Sequence, residues 1–165
     1  MFTELKFIQT LTFFYSVTFA ASLLIGNPIK SCPHEWVQWR DSCFMFSVEK
    51  EDWSRAELRC RALGGHLAEI FDDQTNTLLK NHVKALHYGD HQAYYFIGLT
   101  DVAKTDTWEW PYSQTLPAYT DWGAGQPNHA ANDEHCVFLN GEDSFNWHDV
   151  DCDRAERFIC QKNSI

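Results

Sequence analysis

Residues 122–136 read WGAGQPNHAANDEHC, and the triplet Trp147-His148-Asp149 follows further on. The first stretch ends a segment rich in Gly, Pro, Asn and Asp that covers residues 112–134. A loop this long without regular structure is uncommon in a compact domain and is usually functional. If it folds back on the late part of the chain, Gln126, Asn128, Glu134, His148 and Asp149 come into range of one another. Gln126, Asn128, Glu134 and Asp149 offer amide or carboxylate oxygens, which a hard cation such as calcium gathers in numbers. The amide NH2 groups of Gln126 and Asn128 would stay free as donors while the carboxylates accept. A sugar diol on such an ion could then hydrogen-bond outward to both. The same composition also describes a solvated acidic loop with turn-forming Asn and Pro. On the residues alone both readings stand.

Upstream of the loop, Tyr95-Phe96-Ile97-Gly98-Leu99 has the aromatic and β-branched content of a strand, and Trp108-Glu109-Trp110 reads as another. Cys136-Val137-Phe138-Leu139, Phe145-Asn146-Trp147 and Arg157-Phe158-Ile159-Cys160 are expected to close the domain as strands. Near the start, Trp36-Val37-Gln38-Trp39 and Cys43-Phe44-Met45-Phe46 flank Arg40-Asp41-Ser42 as a hairpin. Two helices are expected between these blocks. The first has Ser54 as N-cap, Glu57 completing a capping box, and Gly64-Gly65 as its stop. The second opens at Asp72 or Asp73 and runs to Leu86, with Leu78, Leu79, Val83 and Leu86 on one side. Leu67-Ala68-Glu69-Ile70 between them is short and extended. Two early helices and several short strands predict an α+β domain.

Lys6 is followed by an uncharged run over residues 7–29, with small residues placed for cleavage after Ala20 or Ser22. We read residues 1–22 as a signal peptide, 23–31 as a short N-terminal segment and 32–162 as the single domain. All six cysteines follow the leader, and an even count in an exported chain reads as disulfides, with fifteen pairings open on count alone. The chain is therefore expected to be secreted and extracellular, with no stable membrane insertion of the mature form. A formal net charge of -10 lacks the concentrated basic patch that nucleic acid requires. No Gly-x-Ser-x-Gly, phosphate loop or His-Glu-x-x-His occurs, so no enzyme is expected.

Residues 32–160 resemble the long form of the C-type lectin-like domain over essentially their whole length. The resemblance rests on the six cysteines, Phe96-Ile97-Gly98-Leu99, Trp108-Glu109-Trp110, Trp122, Gln126-Pro127-Asn128, Trp147-His148-Asp149 and Phe158-Ile159-Cys160. It implies two helices with small antiparallel sheets, a long calcium- and sugar-binding loop, and the disulfides Cys32–Cys43, Cys60–Cys160 and Cys136–Cys152. It also implies a cis peptide before Pro127, and a Ca2+ and carbohydrate site on Gln126, Asn128, Glu134, His148 and Asp149. Gln126-Pro127-Asn128 is a hybrid of the family's mannose-type Glu-Pro-Asn and galactose-type Gln-Pro-Asp, so relaxed preference for sugars with vicinal hydroxyls is expected.

His148 stands where the family has an Asn, and imidazole is a poor ligand for calcium. Calcium with one ligand fewer, a ring turned aside to a sugar, and a silent site all stand as outcomes. His129 and His135 fall where the family brings oxygen ligands to an auxiliary calcium site, beside Asp101. A zinc cluster of His129, His135, His148 and Glu134 is the other arrangement these histidines allow. The function implied is calcium-dependent carbohydrate binding to microbial or cell-surface glycans in innate defence. The alternative is a calcium-independent interaction or mineral-matrix module on the same fold. The chain has no stalk after its leader, so avidity would come from self-association or a partner.

Overall fold

The computed structural model describes residues 30–165, so the leader reading lies outside the described residues. Seven strands and two α-helices follow in the order β1 (Val37–Trp39), β2 (Ser42–Phe46), α1 (Trp53–Ala62), β3 (His66–Leu67), α2 (Asp73–Leu86), β4 (Tyr94–Thr100), β5 (Cys136–Asn140), β6 (Asn146–Val150) and β7 (Arg157–Asn163). The strands form one sheet in the order β1-β2-β7-β4-β5-β6, with β3 also on β7. This is the α+β fold expected, with one refinement. The β4–β7 pairing, Tyr95 opposite Arg157 and Phe96 opposite Phe158, is parallel, so the sheet is mixed rather than wholly antiparallel.

Side-chain alternation on β4 and β5 explains why the two helices take opposite faces. Tyr95, Ile97 and Leu99 join Val137, Leu139 and Trp147 in a cluster that includes Leu79 and Val83 of α2. Phe96 and Phe138 point the other way, into a cluster with Ala56 and Cys60 of α1, Leu67 and Phe158. A strand covered on both faces reads as an unbroken apolar run, which is what Tyr95 to Leu99 is. Gly98 in its middle is required by close approach. Its N–H donates to the Ala68 carbonyl at 2.8 Å, and a Cβ there would lie 2.9 Å from the Leu67 carbonyl oxygen.

Helix α1 departs from expectation at its start. Asp52, not Ser54, is the N-cap, its carboxylate accepting from Arg55 N–H at 2.8 Å. Ser54 is thereby inside the helix and no capping box forms. Glu57 accepts from Leu67 N–H at 2.7 Å instead, tying α1 to β3. The end is as expected: Gly65 N–H reaches Cys60 O and Gly64 N–H reaches Arg61 O, which together cap the last turn. Helix α2 is capped by Asp72, which accepts from Thr75 N–H at 2.7 Å. Leu86 is not on its buried side, being 53% exposed, and the helix buries Thr75, Asn76, Leu79 and Val83. Trp108-Glu109-Trp110 is not a ladder strand either. It makes only the single bridges Thr100–Glu109, at the last residue of β4, and Trp110–Thr115. Phe145 precedes β6 in the left-handed region at φ 63° and packs into the core.

The disulfides are Cys32–Cys43, Cys60–Cys160 and Cys136–Cys152, with Cα separations of 5.6, 5.3 and 5.1 Å, and no cysteine is free. The first fastens the terminal hairpin, the second joins α1 to β7, and the third ties the start of β5 to the segment beyond β6. At the edge of the domain, Ser31 and Ile165 exchange two backbone hydrogen bonds. Among the described residues, no helix is long and apolar enough to cross a membrane.

Candidate functional site

Between β4 and β5 the chain runs through residues 101–135 with one short 3-10 turn, Ala130–Asn132, as its regular structure. Apolar packing and backbone pairing fix this loop. Trp147 of β6 is fully buried and meets Trp110, Tyr119 and Trp122 edge-on at ring separations of 5.9–6.0 Å. Edge-to-face contact is the favoured geometry for aromatic pairs. Trp147 Nε1 donates to Asn76 Oδ1 at 3.0 Å, so α2 sets the height of the ring. Trp147 N–H donates to the Asp121 carbonyl and Trp147 O accepts from Gly123 N–H, laying Trp122 beside β6. The loop thus folds back on the late strands, as the sequence reading required.

The Gln126–Pro127 peptide is cis, as the family resemblance implied. Downstream of it, three backbone N–H groups point at carboxylates. Asn128 N–H donates to both oxygens of Asp149 at 3.0 Å, and His129 N–H to Asp149 Oδ2 at 2.7 Å. Ala130 N–H is shared between Asn128 Oδ1 and Glu134 Oε2, each at 2.8 Å. Asn128, Glu134 and Asp149 are therefore gathered around residues 128–130. The Asp149 side chain is wholly buried. Burial lifts the Glu134 carboxyl above its ordinary value, and the neighbouring Asp149 charge adds to that effect, against the Ala130 N–H bond that lowers it.

Gln126 joins the group through His148. Its Nε2 lies 2.9 Å from His148 Nδ1, and its Oε1 is buried with no hydrogen-bond partner. His148 Nε2 sits 2.9 Å from Asp143 Oδ2, and Asn140 Nδ2 also approaches Nδ1, at 3.3 Å. With the ring proton on Nε2 toward Asp143, Nδ1 accepts from Gln126, which turns Oε1 away from the ring. The hydrogen bond from His148 holds the Asp143 carboxyl below its ordinary value. Gly123 makes room for this pair, since a Cβ there would run into Asp143 and His148. Asp143 and Asn140 were not foreseen. Asn140 ends β5 and Asp143 lies on the turn to β6, and only the pairing of those strands brings them to His148.

A second group lies beside the first. Asp101, fully buried, follows β4 and receives His135 Nδ1 at 2.9 Å, just before β5. His129 Nε2 is 3.9 Å from Asp101 Oδ2, and its ring stacks on Trp108 at 5.8 Å. Burial works against the His129 cation, but the Glu134 carbonyl and the charges of Asp101, Asp149 and Asp106 outweigh it and raise its pKa. Asp101, His129 and His135 are the group of three described side chains able to hold a metal ion together. Neither Glu134 nor His148 belongs to it.

A family model described as the lectin C-type domain matches residues 49–162. The chain belongs to the C-type lectin family. Among its relatives is a C-type lectin of Cerberus rynchops, 34% identical over 144 residues that cover 84% of this chain and 87% of the other. The carbohydrate-recognition domain of mouse scavenger receptor C-type lectin superposes with a TM-score of 0.73 at 31% identity, covering 81% of this chain and 98% of that one. A calcium-independent type II antifreeze protein superposes with a TM-score of 0.72 at 25% identity, covering 82% and 97%. This lectin domain is therefore a recognition module rather than a catalyst, on a fold that serves carbohydrate binding.

Proposed function

We propose that this lectin domain binds carbohydrate through a calcium ion held by Gln126, Asn128, Glu134 and Asp149. The observation that carries the reading is Gln126 Oε1, a buried acceptor with no donor. An unsatisfied buried polar atom is expensive, and a cation supplies what this one lacks. The donor set suits calcium, which takes about six to eight oxygens from carboxylates, amides and water. Its charge would also offset the burial and the neighbouring Asp149 charge that together lift the Glu134 carboxyl. His148 stands among the candidate residues as the group that orients Gln126, since both of its ring nitrogens already have partners. The ion supplies two coordination positions for vicinal hydroxyls. The amides, one of them the Gln126 Nε2 held toward His148, discriminate weakly among diols, which fits relaxed mannose- and galactose-type preference.

Three disulfides suit an oxidising, extracellular setting. Secretion after removal of residues 1–22, recognition of microbial or cell-surface glycans in innate defence, and self-association for avidity complete the reading. One observation favours a second reading, a calcium-independent interaction or mineral-matrix module. Both Asp149 oxygens are already satisfied by backbone N–H groups, and one structural relative is described as calcium-independent. Calcium titration by calorimetry, followed by a glycan array with and without chelator, decides between the two. Binding that disappears in chelator supports the first, and equal binding in both supports the second.

A further inference from the structure

We infer that Asp101, His129 and His135 form a transition-metal site, with zinc as the ion of the matching class, separate from the Gln126 site. One ligand atom from each of the three side chains lies within 4.8 Å of the others. Two imidazoles and one carboxylate are poorly matched to calcium and well matched to zinc, which accepts three protein ligands with a fourth position left to water or another group.

The hydrogen bonding around His129 suits a metal ligand. Its Nδ1 lies 3.1 Å from the Glu134 carbonyl oxygen, a contact that keeps a proton on Nδ1, so that in the neutral ring the lone pair is on Nε2. A backbone carbonyl holding the remote ring nitrogen is the common outer support of a metal-bound histidine. Nε2 itself is buried and has no hydrogen-bond partner. It faces the carboxylates of Asp101, at 3.9 Å, and Asp106, at 3.0 Å but out of line for a hydrogen bond. An ion between the two rings and the carboxylate would displace the proton that His135 Nδ1 now donates to Asp101 Oδ1 at 2.9 Å, so binding zinc should release a proton. Asp101 is fully buried and cannot turn to solvent. Asp106 is 80% exposed on its side chain and is the fourth protein group in reach.

Position in the chain gives the site its consequence. Asp101 directly follows β4, His135 directly precedes β5, and His129 lies between them on the loop. An ion here cross-links the two roots of the long loop to His129 within it, beside the Asp149 carboxylate that the Gln126 site uses. Zinc would act as a clamp on loop geometry, not as a ligand for sugar.

The test is calorimetric titration of Zn2+ into the whole domain in the presence of millimolar calcium, which occupies hard-oxygen sites and leaves histidine sites open. One zinc per chain is expected. His129→Gln and His135→Gln should each weaken binding at least about tenfold, while His91→Gln, at an exposed histidine, leaves it unchanged. Circular dichroism without metal verifies that the variants are folded. Gln126→Ala, which alters the proposed calcium site alone, should keep zinc binding whatever it does to sugar binding. Zinc affinity unchanged in a folded double variant H129Q/H135Q, or zinc displaced competitively by calcium, would overturn the assignment.

Discussion

Replacing Asp149 by Asn separates what the carboxylate does for the fold from what it does for an ion. Asp149 is wholly buried and receives two backbone donors, Asn128 N–H across both oxygens and His129 N–H on Oδ2. Asn keeps one oxygen for one of these donors but turns an NH2 toward the other. A hydrogen bond to a charged acceptor contributes about 1.5–3 kcal/mol and a neutral one about 0.5–1.5 kcal/mol. Loss of charge at both contacts therefore destabilises the metal-free protein by about 2 kcal/mol. For a domain of this size that lowers Tm by roughly 6–10 °C. Asp149→Ala, which leaves both donors buried and unpaired, should be worse than Asp149→Asn. Thermal melts in chelator give this number with no contribution from calcium. A second melt in excess calcium adds the ion: the parent gains stability by linkage, roughly 2.7 kcal/mol at a hundredfold excess over Kd, and D149N gains little. If D149N in chelator melted within a degree of the parent, the backbone clamp on residues 128 and 129 would carry no weight. The account of how this loop is held would then be wrong.

Three other perturbations follow from the same contacts. His148→Asn brings an amide carbonyl whose two lone pairs can accept from Gln126 Nε2, as Nδ1 now does, and also face the ion, so calcium affinity should rise several-fold, about 1 kcal/mol; weaker calcium binding by a folded variant in calorimetry refutes this. Asp72→Ala removes the cap of α2 and should cost about 1 kcal/mol at neutral pH. The Thr75 N–H bond and Arg40 hold the Asp72 carboxyl below its ordinary value, so its stabilisation is complete above the unfolded carboxylate pKa. It is lost as pH falls through the folded one, and the gap between parent and variant in urea melts should close below about pH 4. Finally, Cys60–Cys160 spans 100 residues and Cys136–Cys152 spans 16. Chain-entropy reasoning assigns about 4.7 and 3 kcal/mol to closures of those lengths, so C60A/C160A should unfold at lower urea than C136A/C152A, and the reverse order counts against it.

What could be read beforehand, and what could not, divides along physical lines. The run Tyr95 to Leu99 announced a strand, and Asp72-Asp73 announced the start of a helix, because both signals are local. At α1 the sequence reading chose Ser54, a good cap by local preference, whereas the chain enters the helix two residues earlier, at Asp52. Trp108-Glu109-Trp110 has the content of a strand, yet a strand needs a partner, and content says nothing about partners. The same limit applies in the site. Gln126, Asn128, Glu134 and Asp149 were named from their oxygens and the family resemblance. The engagement of His148 by Asp143 and Asn140 depends on the β5–β6 turn, and no sequence spacing encodes it.

Trp147 has one more consequence. A loop anchored from within, by a buried ring with three aromatics around it and by the buried Asp149 carboxylate, leaves its outward residues with little to do for folding. Exchanges at Asp133 or Ala124, both exposed, should be nearly neutral in a library selected for expression alone, while any exchange at Trp110 or Trp147 should be purged. The domain therefore separates inheritance of its architecture from experiment with its ligands: the keystone is fixed once, and the rim around it is free to drift toward new chemistry.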